Sequence, residues 1–152
     1  METRRLFIYP ASREQMETAI ANERDEDLKT AYGQMLDGCQ KEPEKWAWYA
    51  MWMIELKNGT HVGDLCFKGL SPEGVSEIGY GVLENYQGNG YCTEAVRAAL
   101  DWAFSQPGVT AIEAEAEESN LASRRVLEKC GFIPNGTVGL EGPRYTLKRG
   151  QA

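Results

Sequence analysis

Residues 83–95 read Leu-Glu-Asn-Tyr-Gln-Gly-Asn-Gly-Tyr-Cys-Thr-Glu-Ala, and they join a strand-like segment to a helix-like one. Glycines at positions 88 and 90 let the backbone adopt a positive φ and approach a ligand closely. The start of the following helix offers unpaired N–H groups and the positive end of a dipole. The stretch therefore predicts a cradle for an anion such as a pyrophosphate. A plain tight turn is the alternative for Gly-Asn-Gly taken alone.

Upstream of this loop, the apolar pattern predicts one strand, two helices and three further strands. They are a strand at Leu6–Tyr9, helices from Arg13 to about Glu23 and from Asp25 to Leu36, a long strand at Trp46–Leu56, and strands at His61–Leu70 and Ser76–Leu83. Gly38 is expected to mark the exit of the second helix. Trp46, Trp48 and Trp52 are expected to share one face of the long strand.

Downstream of the loop, strands and helices alternate. The expected elements are a helix from about Tyr91 to Phe104, a strand at Thr110–Glu117, a helix from Asn120 to Gly131, and short strands at Phe132–Ile133 and Arg144–Leu147. This order predicts a mixed α/β (α+β) fold. We expect a mostly antiparallel central sheet of six to seven strands flanked by about four helices, with residues 1–152 forming a single domain.

Composition narrows the class of protein. The net charge of −7 argues against nucleic acid as the main partner. No apolar run reaches the roughly 20 residues of a membrane helix, and the N-terminus lacks a signal-peptide pattern, so a cytoplasmic location without a membrane partner is expected. Four cysteines without CxxC spacing and one histidine argue against a metal site, and we expect none.

Two segments resemble one known family. Gln87-Gly88-Asn89-Gly90-Tyr91-Cys92 resembles the [Gln/Arg]-x-x-Gly-x-[Gly/Ala] motif of the GCN5-related N-acetyltransferases (GNAT), and Thr93-Glu94-Ala95 continues as in their GYxTEA subgroup. Residues 120–132 resemble the family's NxxSxxVLEKxGF segment, and residues 77–80 its fourth-strand signature. The chain is most similar to the ribosomal-protein alanine and serine N-acetyltransferase-like subgroup. Cys92 departs from the pattern, because the family usually has Gly or Ala there.

The resemblance implies that acetyl-coenzyme A (acetyl-CoA) is the acyl donor. Its pantetheine arm would lie in a splay between the fourth and fifth strands and pair with backbone near Val82 and Leu83. Its pyrophosphate would sit on amides of the loop formed by Gln87, Gly88, Asn89, Gly90, Tyr91, Cys92 and Thr93. The side chains of Gln87 and Asn89 either contact the coenzyme or only shape the turn. Asn120 would hydrogen-bond the pantetheine arm, cap its helix, or do both.

The resemblance also suggests catalytic residues. Glu77 stands where several relatives place a general base, which would help an ammonium ion become a neutral amine. Its alternative is a solvated charge on a strand. Many relatives carry a proton-donating Tyr at the position of Leu127, so Ser123 is the preferred acid here, unless it merely bonds back to its helix. Arg124 and Arg125 could meet the 3′-phosphate of the coenzyme or only decorate the surface.

These features predict direct transfer of an acetyl group from acetyl-CoA to a primary amine of a small molecule or a protein N-terminus. The first alternative is a non-catalytic acetyl-CoA-binding regulatory module, since the usual Tyr is missing at Leu127. The second is a transferase for a longer acyl group. The amine acceptor is left open, and the resemblance is compatible with a homodimer.

Overall fold

The computed structural model describes residues 1–150, and within them seven strands and five helices form a mixed α/β fold. In chain order they are β1 (Leu6–Pro10), α1 (Arg13–Asn22), α2 (Glu26–Lys41), α3 (Trp46–Tyr49), β2 (Met51–Leu56), β3 (His61–Phe67), β4 (Val75–Val82), α4 (Tyr91–Ser105), β5 (Ala111–Glu115), α5 (Leu121–Lys129), β6 (Ile133–Val138) and β7 (Pro143–Lys148). The predicted fold class is confirmed.

The sheet has the strand order β1-β2-β3-β4-β5-β7-β6, and β4 and β5 are its parallel pair. Their ladder covers three residue pairs and ends at Glu77 opposite Glu113. On its other side, β4 stays paired with β3 as far as Val82. The two parallel strands therefore separate after Glu77, which gives the splay that the family resemblance implies at this place.

Helices pack on both faces of the sheet, on the second face only over its β2 end. Helix α4 packs on one face through Ala95, Val96, Ala99, Leu100 and Ala103, which recur at helical spacing. On the other face, Met16 of α1 and Cys39 of α2 pack against Met51 of β2. Each buried leucine-sized side chain contributes roughly 1.5–3 kcal/mol through its removal from water. The packing of α1, α2 and α4 thus buries the apolar side chains of the sheet on which the splay between β4 and β5 lies.

The prediction of one long strand at Trp46–Leu56 is wrong in its first part. Pro43 starts a 3₁₀ turn, because its fixed φ suits a helical beginning, and the chain continues as the short helix α3. Trp46 donates its Nε1 hydrogen to the carbonyl oxygen of Ala11 at 2.9 Å and joins the α1/α2 core. Trp48 and Trp52 instead pack against Trp102 of α4. The three tryptophans therefore do not share a face.

The second helix runs further than the sequence predicted. It continues through Gly38 to Lys41, so Gly38 is not a helix terminus. A Cβ atom at Gly38 would lie 2.7 Å from Cδ1 of Tyr49. The glycine is therefore explained by the close approach of this aromatic ring to the helix.

The described helices include none that combines the length and the apolar character needed to cross a lipid bilayer.

Candidate active site

The loop before α4 is built for open backbone amides. Gly88 and Gly90 have φ values of 80° and 79°, a region that side chains rarely adopt. Helices α1, α2 and α5 begin with side-chain caps, whereas α4 begins at Gly90 with none. The first backbone bond of α4 runs from the N–H of Glu94 to the oxygen of Gly90. The N–H groups of residues 91–93 are thus directed outward at the positive end of the helix.

The side chains of Gln87 and Asn89 brace this loop. Gln87 donates its Nε2 hydrogen to the oxygen of Val82 at 3.0 Å, and Asn89 donates from Nδ2 to the oxygen of Tyr86 at 3.1 Å. The sequence left open whether these side chains contact the coenzyme or shape the turn, and in the structure their hydrogen bonds shape the turn. An anion at this loop would therefore be bound mainly by backbone amides.

The N-terminal segment holds the same loop from outside, which the sequence did not reveal. Glu94 accepts hydrogen bonds from the hydroxyl of Thr3 and from the backbone N–H and Nε of Arg5. Burial alone raises the pKa of Glu94, but these hydrogen bonds outweigh it and the pKa lies below its usual value. Arg5 also donates to the oxygen of Asn89 at 2.8 Å and lies over the ring of Tyr91. The ionised Glu94 thereby ties the first residues of the chain to α4.

A depression of about 460 Å³ adjoins the start of α4. Gly90 and Thr93 line one end, and Arg5, Arg97 and Lys129 supply cations along it. Arg97 donates to the backbone oxygen of Lys129 at 2.9 Å and so links α4 to α5. By contrast, Arg124 is directed to the hydroxyl of Tyr145 and the oxygen of Glu118. Glu94 and Asp101 also line the depression, and Arg5 is paired with Glu94, so the three cations exceed the carboxylates by one.

The open edge of β4 limits which backbone groups can bind a ligand. Leu83 donates its N–H to Val62 at 2.8 Å and accepts from the N–H of Tyr86 at 2.8 Å, so both of its backbone groups are engaged. Because backbone groups alternate along a strand, the N–H of Val82 is turned toward the splay. The carbonyl oxygen of Leu83 keeps a second lone pair and the residue is 48% exposed, so its contact with the pantetheine arm stays a prediction.

Helix α5 presents two polar side chains beside the splay. Asn120 caps the helix by accepting the N–H of Ser123 at 3.0 Å through Oδ1. Its Nδ2 donors have no partner within residues 1–150, so capping and ligand binding are compatible. The Ser123 hydroxyl is 3.0 Å from the hydroxyl of Tyr80 on β4. In the described chain it pairs with Tyr80 rather than with the backbone of its own helix.

Leu127 is fully buried in the core between α5 and the sheet. The side chain at this position packs inward, so Leu127 fills the core with an apolar group where many relatives carry Tyr. Proton donors beside the splay therefore come from the hydroxyls of Ser123 and Tyr80.

Glu77 lies on the other face of the sheet, inside a charged cluster. Lys68 donates to its Oε2 at 2.6 Å and Arg144 donates to its Oε1 at 2.9 Å. Arg144 also pairs with Glu115 and lies 3.9 Å from Glu113. Burial alone raises the pKa of Glu77, but the hydrogen bonds from Lys68 and Arg144 outweigh it, so the pKa lies below its usual value. Glu77 is consequently ionised at neutral pH.

An open depression of about 600 Å³ lies over this cluster. Tyr49, Lys68, Glu77, Glu113 and Arg144 are among the residues that line it. Since Glu77 and Tyr80 are three residues apart on one strand, their side chains point to opposite faces. The splay therefore has a carboxylate cluster on one face and a pair of hydroxyls on the other.

Cys92 sits in the first turn of α4. A helix N-terminus favours a thiolate, yet burial dominates here and raises the pKa of the Cys92 thiol to about 12. The thiol is therefore protonated at neutral pH and is a poor nucleophile.

Comparison with known proteins gives the family. A family model described as an Acetyltransferase (GNAT) domain matches residues 2–133. The chain belongs to the GNAT acetyltransferase family. Two Bacillus subtilis relatives are the uncharacterized N-acetyltransferase YjdG, 40% identical over 86 residues (55% of this chain and 51% of YjdG), and the uncharacterized protein YkkB, 31% identical over 125 residues (75% and 73%). The chain thus spans about half the length of YjdG.

A solved structure extends the likeness of the GNAT fold over nearly the whole chain. The spermidine N-acetyltransferase from Vibrio cholerae, in complex with CoA and spermine, superposes with a TM-score of 0.77 over 98% of each chain. The sequence identity is 14%, so the likeness concerns the fold. The subgroup suggested by the sequence motifs stays a prediction.

Within this GNAT chain, several site residues were missed by sequence reasoning. In the sequence, Tyr80 stands out only as part of a strand signature, and no motif points to Lys68, Arg144 or Arg5. The partners of Glu77 and Ser123 lie on other strands or helices, between 9 and 67 residues away in sequence, so no spacing within one element identifies them. The one available signal was the strand period, which places Tyr80 on the face opposite Glu77.

Proposed function

We propose that this protein transfers an acetyl group from acetyl-CoA directly to a primary amine. The observation that carries the proposal is the continuity of the site. An uncapped helix start with open amides leads into the splay between β4 and β5, where Ser123 faces one side and Glu77 the other. A coenzyme with an anionic end and a thin, polar arm matches this sequence of features.

In this arrangement the pyrophosphate lies on the amides of residues 91–93, and the pantetheine arm follows the open edge of β4. The N–H of Val82 and the Nδ2 group of Asn120 donate to its amide oxygens. Such contacts hold the thioester in place before reaction, which lowers the entropic part of the barrier. Peptide N–H groups of β4 also favour the negative charge that develops on the carbonyl oxygen.

The reaction then needs one proton taken from nitrogen and one given to sulfur. The neutral amine attacks the carbonyl carbon, the N–C bond forms, and the C–S bond breaks as the carbonyl returns. Glu77 receives the amine proton through water, since its ionised carboxylate is already bound by two cations. Ser123 donates a proton to the departing thiolate. The protonated Cys92 supports direct transfer over an acyl-enzyme.

The acceptor would enter over the cluster of Glu77, Glu113 and Glu115, whose three carboxylates exceed the two cations Lys68 and Arg144. This excess of negative charge favours a cationic amine over an anionic acceptor. A small-molecule amine and a protein N-terminus both satisfy this requirement. The spermine held by a protein of the same fold is one such amine.

The direct test measures thiol release from acetyl-CoA with a panel of polyamines, aminoglycosides and peptides with free N-termini. We expect release with at least one acceptor, and product heavier by one acetyl group. Binding of acetyl-CoA without turnover on any acceptor would instead favour the non-catalytic module. Competition between acetyl-CoA and longer acyl-CoA molecules separates the alternative of a longer acyl group.

Arg97 tests where the nucleotide end lies. We place the 3′-phosphate in the depression that Arg97 lines together with Arg5 and Lys129. Replacement of Arg97 by alanine is expected to weaken CoA binding roughly fivefold, because an exposed charge-assisted contact is lost. Calorimetric titration with dephospho-CoA, which lacks the 3′-phosphate, should show no such loss. Arg125 is exposed on α5 and is a candidate that the sequence offers, so Arg125→Ala is the comparison, and an equal or larger loss in that variant would refute the placement.

A further inference from the structure

A pair of hydroxyls bridges the splay from strand β4 to helix α5. The Tyr80 hydroxyl is 3.0 Å from Oγ of Ser123 and 3.1 Å from the backbone oxygen of the same residue. The two residues are 43 positions apart in sequence. The contact is therefore made by the fold at the place where the two parallel strands separate.

The geometry gives the Tyr80 proton two acceptors on one residue. At rest the hydroxyl can donate to the carbonyl oxygen of Ser123. When Oγ of Ser123 donates its own proton elsewhere, negative charge builds on Oγ, and the Tyr80 proton can turn to it without a change of partner residue. A hydrogen bond to a group gaining charge is stronger than one between neutral groups. The arrangement thus supports Ser123 most when Ser123 acts as an acid.

We propose that Tyr80 is a positioning residue that holds the Ser123 hydroxyl toward the leaving sulfur and passes it a proton. This rests on the proposed acetyl transfer. As the C–S bond breaks, its electron pair stays on sulfur, which takes the proton of Ser123 Oγ. Ser123 takes the proton of Tyr80 as water returns a proton to the Tyr80 oxygen, so no free tyrosinate accumulates. The proton that the amine releases on the opposite face balances the one consumed.

The surroundings keep this pair neutral before reaction. Burial raises the pKa of Tyr80 to about 12, so the phenol retains its proton at neutral pH. Its titratable neighbours are Cys92, Cys130 and Tyr145. Burial raises the pKa of the Cys92 thiol to about 12 and that of the Cys130 thiol to about 11, so neither adds a charge. The hydroxyl is therefore available as a donor over the physiological range.

Tyr80 also supplies a phenol where the chain lacks the proton-donating Tyr that many relatives carry at the position of Leu127. The buried Leu127 offers no proton, while Tyr80 brings a phenol to the same splay from the facing strand. The acid is thus divided between a serine on the helix and a tyrosine on the sheet.

The test compares Tyr80→Phe with wild type in steady-state kinetics, with the acceptor found in the thiol-release assay. Phenylalanine keeps the ring and its packing and removes only the hydroxyl. We expect kcat to fall about tenfold, at the lower side of acid–base effects because Ser123 remains, with KM for acetyl-CoA within about twofold. The matched control is Tyr9→Phe, whose hydroxyl bonds Glu55 at 2.7 Å on the remote edge of the sheet. It should keep the wild-type kcat.

The double variant Tyr80→Phe/Ser123→Ala separates a relay from two independent effects. Residues that act in one unit give non-additive losses, so the double variant should be no slower than about threefold below Ser123→Ala alone. The proposal is overturned if the kcat loss of the double variant equals the product of the two single-variant losses. An unchanged kcat in Tyr80→Phe also overturns it. A rise in KM that accounts for the whole loss would mark a merely structural role and also overturn it. If wild type is active and Tyr80→Phe has the same kcat, the relay alone is rejected. If wild type is inactive on every acceptor, acetyl transfer is rejected.

Discussion

Replacing Ser123 by alanine is expected to lower kcat about a hundredfold while the dissociation constant of acetyl-CoA stays within about threefold of wild type. The hydroxyl stands beside the splay and makes its one described side-chain hydrogen bond with Tyr80, so its removal takes away a proton donor and little binding energy. Asn120 keeps its cap on α5, because that bond uses the backbone N–H of residue 123. Stopped-flow release of the thiol and calorimetric titration of the coenzyme measure the two quantities separately.

Ser119→Ala is the matched control for this experiment. Ser119 is an exposed serine just before the same helix, and its side chain has no partner within residues 1–150. It should leave both kcat and coenzyme affinity unchanged. Equal turnover in Ser123→Ala and wild type would remove Ser123 from the mechanism. A loss confined to coenzyme affinity would make it a binding residue.

The features that the sequence predicted well are local. The glycines at 88 and 90, the cap at Asn120 and the glycine at 131 each set backbone geometry within one turn, so residue type and spacing determine them. The periodicity of α4 likewise follows from its own apolar residues. The position of the glycine loop on the chain therefore follows from residue types and spacing alone.

The features that the sequence did not predict depend on tertiary contacts. The alternation of Trp46–Leu56 suits a strand, yet Trp46 is drawn to α1 and α2 by its bond to Ala11, and Pro43 starts a helical turn. Gly38 resembles a helix end, yet it serves the packing of Tyr49. In both cases, a residue that is present because of a tertiary contact also fits the pattern of a strand or of a helix end.

The electrostatics of Glu77 show the same limit at the site. The strand pattern alone indicates only one influence on the pKa of Glu77, its burial, and burial raises the pKa of a carboxyl. Lys68 and Arg144 reverse that direction, and they lie 9 and 67 residues away in sequence. Its position on β4 was predictable, whereas its protonation state required the neighbouring strands.

Replacing Glu77 by glutamine is expected to lower kcat/KM about a hundredfold across the neutral range, because the ionised group that accepts the amine proton through water is lost. Since the pKa of Glu77 lies below its usual value, the carboxylate is already ionised above about pH 5. The rise of kcat/KM with pH in the wild type therefore reflects loss of the proton from the acceptor ammonium. Profiles of kcat/KM between about pH 5 and pH 9 should be parallel for wild type and Glu77→Gln.

Glu113→Gln is the matched control, because it removes the same charge from the same face but lies 3.9 Å from Arg144 and has a weaker contact. It should cost only a few-fold in kcat/KM. A wild-type break near pH 6–7 that disappears in Glu77→Gln would show a base with a raised pKa and contradict the ion-paired state.

Thermal unfolding gives an independent check of the direction in which the pKa of Glu77 is shifted. A carboxyl with a depressed folded-state pKa stabilises the fold above its unfolded-state pKa and loses that contribution as the pH falls through the folded-state value. The Tm difference between wild type and Glu77→Gln should therefore be present at pH 7 and shrink once the pH drops below 4.5.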